Sequence, residues 1–450
     1  MSELFGIAGF RPAEMPSIAG EDPVLPTPYR IGAAGAEALA ALGAAVARYG
    51  ELRGLPRQQV SVDLRRAALS LRSARYLRIN GQPLPPVWDP LSGFYPVRDG
   101  WISIHCNFPN HRDAAMKVLQ SSPVRQEAER KSATWTGEAL EDAIHAAAGC
   151  AGFVRTAEDW QRHAQARAVA EQPLIEIVRI GDAPAEKPKA AKRPLGGIRA
   201  LDLTRVLAGP TCGKCLAEHG ADVLKISAEH LPDSGLVEMD TGIGKRSARL
   251  DLRSPEGRAK LEQLVKQADV FCQSYRPGAL AARGFSPERL AELRPGIVCT
   301  SLSAWGTSGP WRTRRGFDSI VQAVSGMAHK SGDEKSPKLL PVSAIDYVSG
   351  YLMAFGTAVA LERRAREGGS WLVRVALASV GRWIVDHGLT SFDGIAADVP
   401  AAELAGYCAE MDAPVGRLTY LKPVVQLSHT PGAWTRPPVP LGTHEAKWEQ

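Results

Sequence analysis

The sequence predicts an α/β fold: a large domain on a Rossmann-like parallel sheet with a smaller α+β domain, the large domain's elements being partly duplicated. Three observations predict it: a strand-helix alternation after residue 194, one solvated linker, and an internal repeat. The alternation runs through a strand at Ile198–Leu203, a helix at Thr211–His219 and a strand at Ala221–Ile226. It continues with a helix at Pro255–Gln267, a strand at Val270–Ser274, a helix at Pro287–Arg294 and a strand at Ile297–Ser303. Ser254-Pro255 and Ser286-Pro287 are matched helix starts, a hydroxyl N-cap followed by a proline whose missing N–H costs nothing there. Strands spaced by helices in this way form a parallel sheet, because right-handed crossovers place the helices on its two faces.

The linker is Gly181–Pro194, where proline, alanine and charge replace every apolar periodicity. Before it, Ala36–Arg53 has the small apolar residues of a buried helix and Val60–Leu64 reads as a strand. A smaller domain follows from Ile79, with the alternating strand Gly100–His105 after the Asp99-Gly100 turn and a helix at Glu138–Ala148. The repeat aligns Leu39–Leu64 without a gap on Leu352–Leu377, matching Gly43 with Gly356, Ala45-Val46-Ala47 with Ala358-Val359-Ala360, and Val60, Val62 and Leu64 with Val373, Val375 and Leu377. The expected organisation is therefore a first repeat copy over 1–78, a small domain over 79–180, the linker 181–194, a Rossmann-like domain over 195–380 and a closing segment over 381–450.

Composition bounds the function. With 450 residues, 44% apolar and 23% charged, the chain has the make-up of a globular protein with a sizeable core. Lys plus Arg exceed Asp plus Glu by only 54 to 48, a net +6 too dilute for a nucleic-acid or membrane partner and compatible with small anionic ligands. No apolar run is read as approaching the ~18 residues of a membrane span, and the opening MSELFGIAGF lacks the pattern of a signal peptide. A cytoplasmic setting is expected, and seven scattered cysteines suit reduced thiols.

The candidate motifs narrow the chemistry further. Gly209–Cys215 has three residues between its glycines and Cys215 after Lys214, so it lacks the spacing and hydroxyl of a phosphate loop. Cys212 and Cys215 form a CxxC without a second pair to complete a metal site; they read as packing residues, and no metal is expected. No GxGxxG follows Ile198–Leu203, which argues against a dinucleotide dehydrogenase. Arg312, Arg314 and Arg315 precede a helix start, an arrangement that suits a pyrophosphate and equally a solvated charged face. Asp346 stands just before the long apolar helix of the second repeat copy. It reads either as a plain N-cap or as a half-desolvated carboxylate suited to nucleophilic or base chemistry. The equivalent position in the first copy is Ala33.

Pro194–Pro210, PLGGIRALDLTRVLAGP, resembles the N-terminal signature of family III CoA-transferases (the CaiB/BaiF type, with formyl-CoA and carnitine CoA-transferases). Gly220–Ile226, Lys245–Leu252, Tyr275–Gly278, Gly316–Ala323 and the segment around Asp346 extend the resemblance. It implies a CoA-transferase with acyl-CoA and a free carboxylic acid as substrates, no tightly bound cofactor, and a homodimer. The family's order of pieces differs, so a permuted or partly duplicated family III fold is expected, with the small domain in the first half and the CoA-binding half after the linker. By the same resemblance Asp346 is the nucleophile, passing through an aspartyl anhydride and an aspartyl-CoA thioester, with N–H groups near Gly350 at the oxyanion. CoA is expected at Val206, Leu207, Leu250, Arg253, Ser274, Tyr275, Arg276 and Arg315. Related 2-methylacyl-CoA racemases carry His where Phe317 precedes Asp318, which weakens that alternative; a non-catalytic CoA-binding subunit is the other.

Overall fold

Seven strands form the main sheet of this computed structural model, which describes residues 2–11, 14–85, 88–232, 235–333 and 335–449. Their spatial order is Arg246–Arg249, Asp222–Ser227, Arg199–Leu203, Val270–Gln273, Val298–Ser303, Ser370–Ala376 and Ile175–Gly181. The first six are parallel and the last is antiparallel. The crossover helices Ala208–Glu218, Pro255–Val265 and Pro287–Leu293 join them. Ser254 Oγ accepts the Gly257 N–H at 3.0 Å and Ser286 Oγ the Arg289 N–H at 3.2 Å, so both proline-led starts are capped. Two strands escape the sequence reading. Arg246–Arg249 carries charge in place of an apolar pattern, and Arg246 is buried because Asp222 pairs with it at 2.8 Å. Ile175–Gly181, expected within the small domain, instead adds the edge strand to the large sheet.

The repeat has a structural counterpart in every element. The helices Ile31–Glu51 and Ala344–Glu367 start 313 residues apart, as do the helices after their strands, which start at Leu64 and Leu377. Strand Val60–Asp63 lies between a parallel neighbour, Ser17–Ala19, and an antiparallel one, Gln426–Leu427. Strand Ser370–Ala376 lies likewise between parallel Val298–Ser303 and antiparallel Ile175–Gly181. In each copy a glycine lets the helix lie flat on its strand: a Cβ at Gly43 would stand 2.7 Å from Val60 Cγ1, and one at Gly356 2.6 Å from Val373 Cγ1. Overpacking of this kind costs about 1–3 kcal/mol. Gly356→Ala is therefore expected to destabilise the protein by that amount in denaturant unfolding, and Gly43→Ala by a similar amount.

The two helices pack on one another, with Arg48 Nε donating to Glu362 at 2.7 Å. Both are long and apolar enough to cross a membrane, contrary to the sequence reading, and 89% and 94% of their apolar windows are buried inside the protein. Ser73 Oγ donates to Asp240 at 2.6 Å, Lys214 pairs with the same carboxylate at 2.8 Å, and Ser70 shares a hydrogen bond with Tyr351 at 2.8 Å. The Ser70–Tyr351 contact seats the N-terminal half against the helix that carries Asp346, and the Ser73–Asp240 contact against the helix Leu236–Thr241.

The smaller body has its own core, including Tyr95, Ile102, Ile104, Met116, Leu140 and Ile144. It consists of the hairpin Gly93–Val97 and Gly100–Ile104, a third strand Ala151–Phe153, and the helices Pro109–Leu119, Arg125–Ser132 and Gly137–Ala146. The region expected over 79–180 is thus narrower in its independent core. Arg78–Pro83 joins a different sheet, made with Cys408–Ala413 and Gly416–Leu421. The closing segment runs on to the far edge of the large sheet, where Trp448 Nε1 donates to the Leu264 carbonyl at 3.1 Å.

Candidate active site

The strand Arg199–Leu203 is the point where the large sheet changes direction: the chain builds outward to one side through Asp222–Ser227, then returns to the other through Val270–Gln273. Ligands of open parallel sheets lie in the crevice at the carboxyl ends of two such strands. Here the crevice is framed by 204–207 and 274–276, and the Arg205 N–H joins the two by donating to Ser274 Oγ at 2.9 Å. Val206 has φ +68°, a left-handed backbone that a β-branched residue adopts only under constraint. The constraint comes from beneath. The Thr204 N–H donates to Asp202 at 3.0 Å, and Lys225 Nζ donates to the Thr204 carbonyl at 3.0 Å. Lys245 Nζ reaches Asp202 at 2.6 Å and the Pro210 carbonyl at 2.7 Å. Burial pushes the Asp202 carboxyl up, but Lys245 and Lys225 more than offset this and hold it below its ordinary value.

Cations converge above the crevice. Burial pushes His111 down to about 4, and the guanidinium groups of Arg315, Arg205 and Arg276 act in the same direction. Arg315 is itself held below its ordinary value by burial and by Arg276. Three guanidinium groups thus act on one imidazole, a charge arrangement suited to an anion with several oxygens. Arg205, which also lies over the Phe108 ring at 5.4 Å, is absent from the residues expected to bind CoA. Its only signal in the sequence is adjacency to Val206.

The remaining expected residues separate. Tyr275 and Arg276 line a cavity of about 270 Å³ with Gln273, Ser301, Ser303 and Ser379. Leu250 packs on the second core, formed by residues such as Leu201, Leu224 and Phe271. Arg253 does not join the other arginines: it is exposed and paired with Asp251, at 2.9 Å through Nε and 2.7 Å through Nη2. The spacing that places it after a strand says nothing of this local partner two residues away.

Val206, Leu207 and Asp346 share a larger cavity of about 900 Å³. Its wall comes from both halves of one chain: Arg72, Arg75, Trp88, His105 and Phe108 from the first, Phe317, Asp318 and Tyr347 from the second. Asp346 is buried in the first turn of its helix, whose N-cap position is held by Ser343. The plain N-cap reading of Asp346 therefore fails, since its own N–H is what receives a cap: Asp318 accepts it at 3.0 Å and also accepts from Ile345 N–H. Gln322 Nε2 donates to the same carboxylate, while Gln322 Oε1 accepts the Leu340 N–H at 2.7 Å. Burial, and then the neighbouring Asp318, push the Asp346 carboxyl well above its ordinary value. Burial raises Asp318 to about 6, moderated by the donors on it.

Two further outcomes bear on the chemistry. Gly350 is a mid-helix residue whose missing Cβ admits the Ala208 carbonyl, which a Cβ would meet at 2.6 Å. Its N–H lies inside the helix, so an oxyanion role there is not supported. The small body brings in His105, which the sequence reading left unassigned at the end of its alternating strand. Its ring stacks on Phe317 at 3.9 Å with an interplanar angle of 8°, and burial pushes it down to about 3. Among the described residues, no cluster of three or more His, Cys, Asp or Glu is placed to hold a metal.

Residues 195–403 match the model of CoA-transferase family III. The chain is 28% identical over 414 residues to an acyl-CoA transferase of Gibberella moniliformis, covering 82% of this chain and 73% of that protein. It is 33% identical over 201 residues to a succinyl-CoA–D-citramalate CoA-transferase of Chloroflexus aurantiacus, covering 41% of this chain. The match spans only 49% of that relative's length, and 35% of the acetyl-coenzyme A transferase nodX of Hypoxylon pulicicidum, to which it is 34% identical. The solved structure of hypothetical protein Rv3272 from Mycobacterium tuberculosis shares 29% identity and a TM-score of 0.41, over 44% of this chain and 58% of that one. The similarity to CoA-transferase family III is thus carried by residues 195–403, a little under half of the chain.

Proposed function

We propose that the protein moves CoA from an acyl-CoA donor to a free carboxylic acid, with Asp346 as nucleophile. The observation that carries this reading is a buried carboxyl in the wall of a cavity of about 900 Å³ that also reaches Val206 and Leu207 at the switch point. A thioester is already activated, so exchange between two acids is nearly isoergic and requires no ATP. The Asp346 carboxylate attacks the thioester carbonyl, the C–S bond breaks, and a mixed anhydride forms as CoA leaves as thiolate. The thiolate then attacks the aspartyl carbonyl, releasing the donor acid and leaving an aspartyl-CoA thioester. The acceptor carboxylate reverses both steps. An anhydride exposed to water hydrolyses, and Trp88, His105 and Phe108 of the same chain line the cavity into which Asp346 opens.

The experiment is to incubate the purified protein with a panel of acyl-CoAs and free acids and to detect new thioesters by mass. Hydroxylamine added with acyl-CoA is expected to leave a modified Asp346 peptide. Bound CoA with no exchange for any pair would overturn the reading, and inversion of a 2-methylacyl-CoA at C2 would replace it with a racemase.

Arg276→Ala and Arg315→Ala are each expected to weaken CoA binding by about 1–3 kcal/mol, the range for charge-assisted phosphate contacts. The loss falls on KM, because contacts far from the acyl group hold ground and transition states alike. Arg253→Ala, already engaged by Asp251, is expected to change it far less. Calorimetry with CoA reads all three.

A further inference from the structure

The cap that holds Asp346 has a twin in the first repeat copy. Asp22 accepts the Gly32 N–H at 3.1 Å and the Ala33 N–H at 2.7 Å. Gly32 and Ala33 correspond, at the offset of the repeat, to Ile345 and Asp346, whose N–H groups Asp318 accepts. One carboxylate therefore clamps the same two N–H groups in each copy, although Asp22 and Asp318 do not themselves align in sequence. The copies differ in what the clamped turn presents: the methyl of Ala33 in one, the carboxyl of Asp346 in the other. Satisfying the helix start is common to both, and facing a second carboxyl belongs to Asp318 alone.

We propose that Asp318 is a positioning residue for Asp346: it fixes the turn that presents the reactive carboxyl and is the anion that this carboxyl faces. The Gln322 amide and two backbone N–H groups all point at Asp318, so negative charge settles there and the proton of the pair settles on Asp346. The other titratable and charged groups on the cavity do not compete for that role. His105 is neutral, Arg72 is paired with Asp398 at 2.6 Å, Arg75 stands 3.6 Å from the same carboxylate, Arg78 donates to the Arg75 and Leu77 carbonyls at 2.8 Å, and the Tyr347 hydroxyl is engaged by Ser73 at 3.2 Å and faces Asp240 at 3.4 Å.

Asp318→Asn removes the charge with little change in shape, and Asp22→Asn makes the same change in the clamp that has no nucleophile. The acid limb of kcat/KM for CoA exchange is expected to move down by about one pH unit or more in Asp318→Asn and to stay in place in Asp22→Asn. Carbodiimide labelling of the Asp346 peptide, which needs the protonated carboxyl, reads the same shift without any turnover. Gln322→Met, which strips one donor from Asp318 and leaves both carboxyls, is expected to move the labelling midpoint the same way by less, and serves if Asp318→Asn does not fold. An unmoved midpoint in both variants, or an equal shift in Asp22→Asn, overturns the proposal. The kinetic arm rests on the transferase reading; a shifted labelling midpoint without CoA exchange would remove that reading and leave the positioning role standing.

Discussion

Asp346→Asn is expected to lower CoA exchange by on the order of 10³-fold or more, while CoA still binds. The amide nearly reproduces the shape of the carboxyl but does not attack a thioester, and the cations proposed to meet phosphate are other residues. The same variant is expected to gain stability at pH 8. Burial keeps the proton on Asp346 in the folded protein, whereas the unfolded chain releases it near the ordinary aspartate value of about 3.9. Between those two values the folded state binds more protons than the unfolded state, so the carboxyl's contribution to stability declines as pH rises. Asparagine carries no such penalty, so the gain over wild type is larger at pH 8 than at pH 5 in denaturant melts. Full turnover by the variant, with deamidation excluded by mass, would refute the mechanism.

Lys245→Met is expected to cost about 3–5 kcal/mol, because it leaves Asp202 charged in a site only 1% exposed. Lys245 also holds the Pro210 carbonyl in the first turn of the helix that opens the crevice, and Asp202 holds Thr204, two residues before the strained Val206. Weaker CoA binding is therefore expected to accompany the lost stability. The double variant Lys245→Met with Asp202→Asn is expected to recover much of the stability, since no uncompensated charge remains. In the single variant Asp202 protonates on acidification, so its deficit relative to wild type shrinks toward pH 4. Equilibrium unfolding at several pH values checks both, and a single-variant cost below about 1 kcal/mol would show that water reaches the pair.

Charge hid two parts of the fold from the sequence reading. Arg246–Arg249 lacks an apolar pattern because Arg246 is neutralised by Asp222 on the neighbouring strand and covered by Trp448 from near the end of the chain. Arg205 and Arg253 are both arginines after a strand of the same sheet, yet one stands among cations at the switch point and the other is spent on Asp251. Asp251, two residues away, already engages Arg253, whereas what surrounds Arg205 depends on which strands flank it.

The features legible along the chain are those that local physics encodes. The strand-helix alternation, the Ser-Pro helix starts, the glycines at 43 and 356 and the repeat follow from periodicity, capping and steric fit within a few turns of chain. Asp346 stood out for the same reason, as a lone carboxylate at the mouth of an apolar helix. The tertiary structure alone decided what surrounds it. His105 reaches Phe317, the strand Ile175–Gly181 closes the large sheet, and Asp22 and Asp318 clamp matching turns from unaligned positions. A carboxylate's reactivity depends on the groups that bury it and share its proton, and those groups come from segments that only the folded path of the chain brings together.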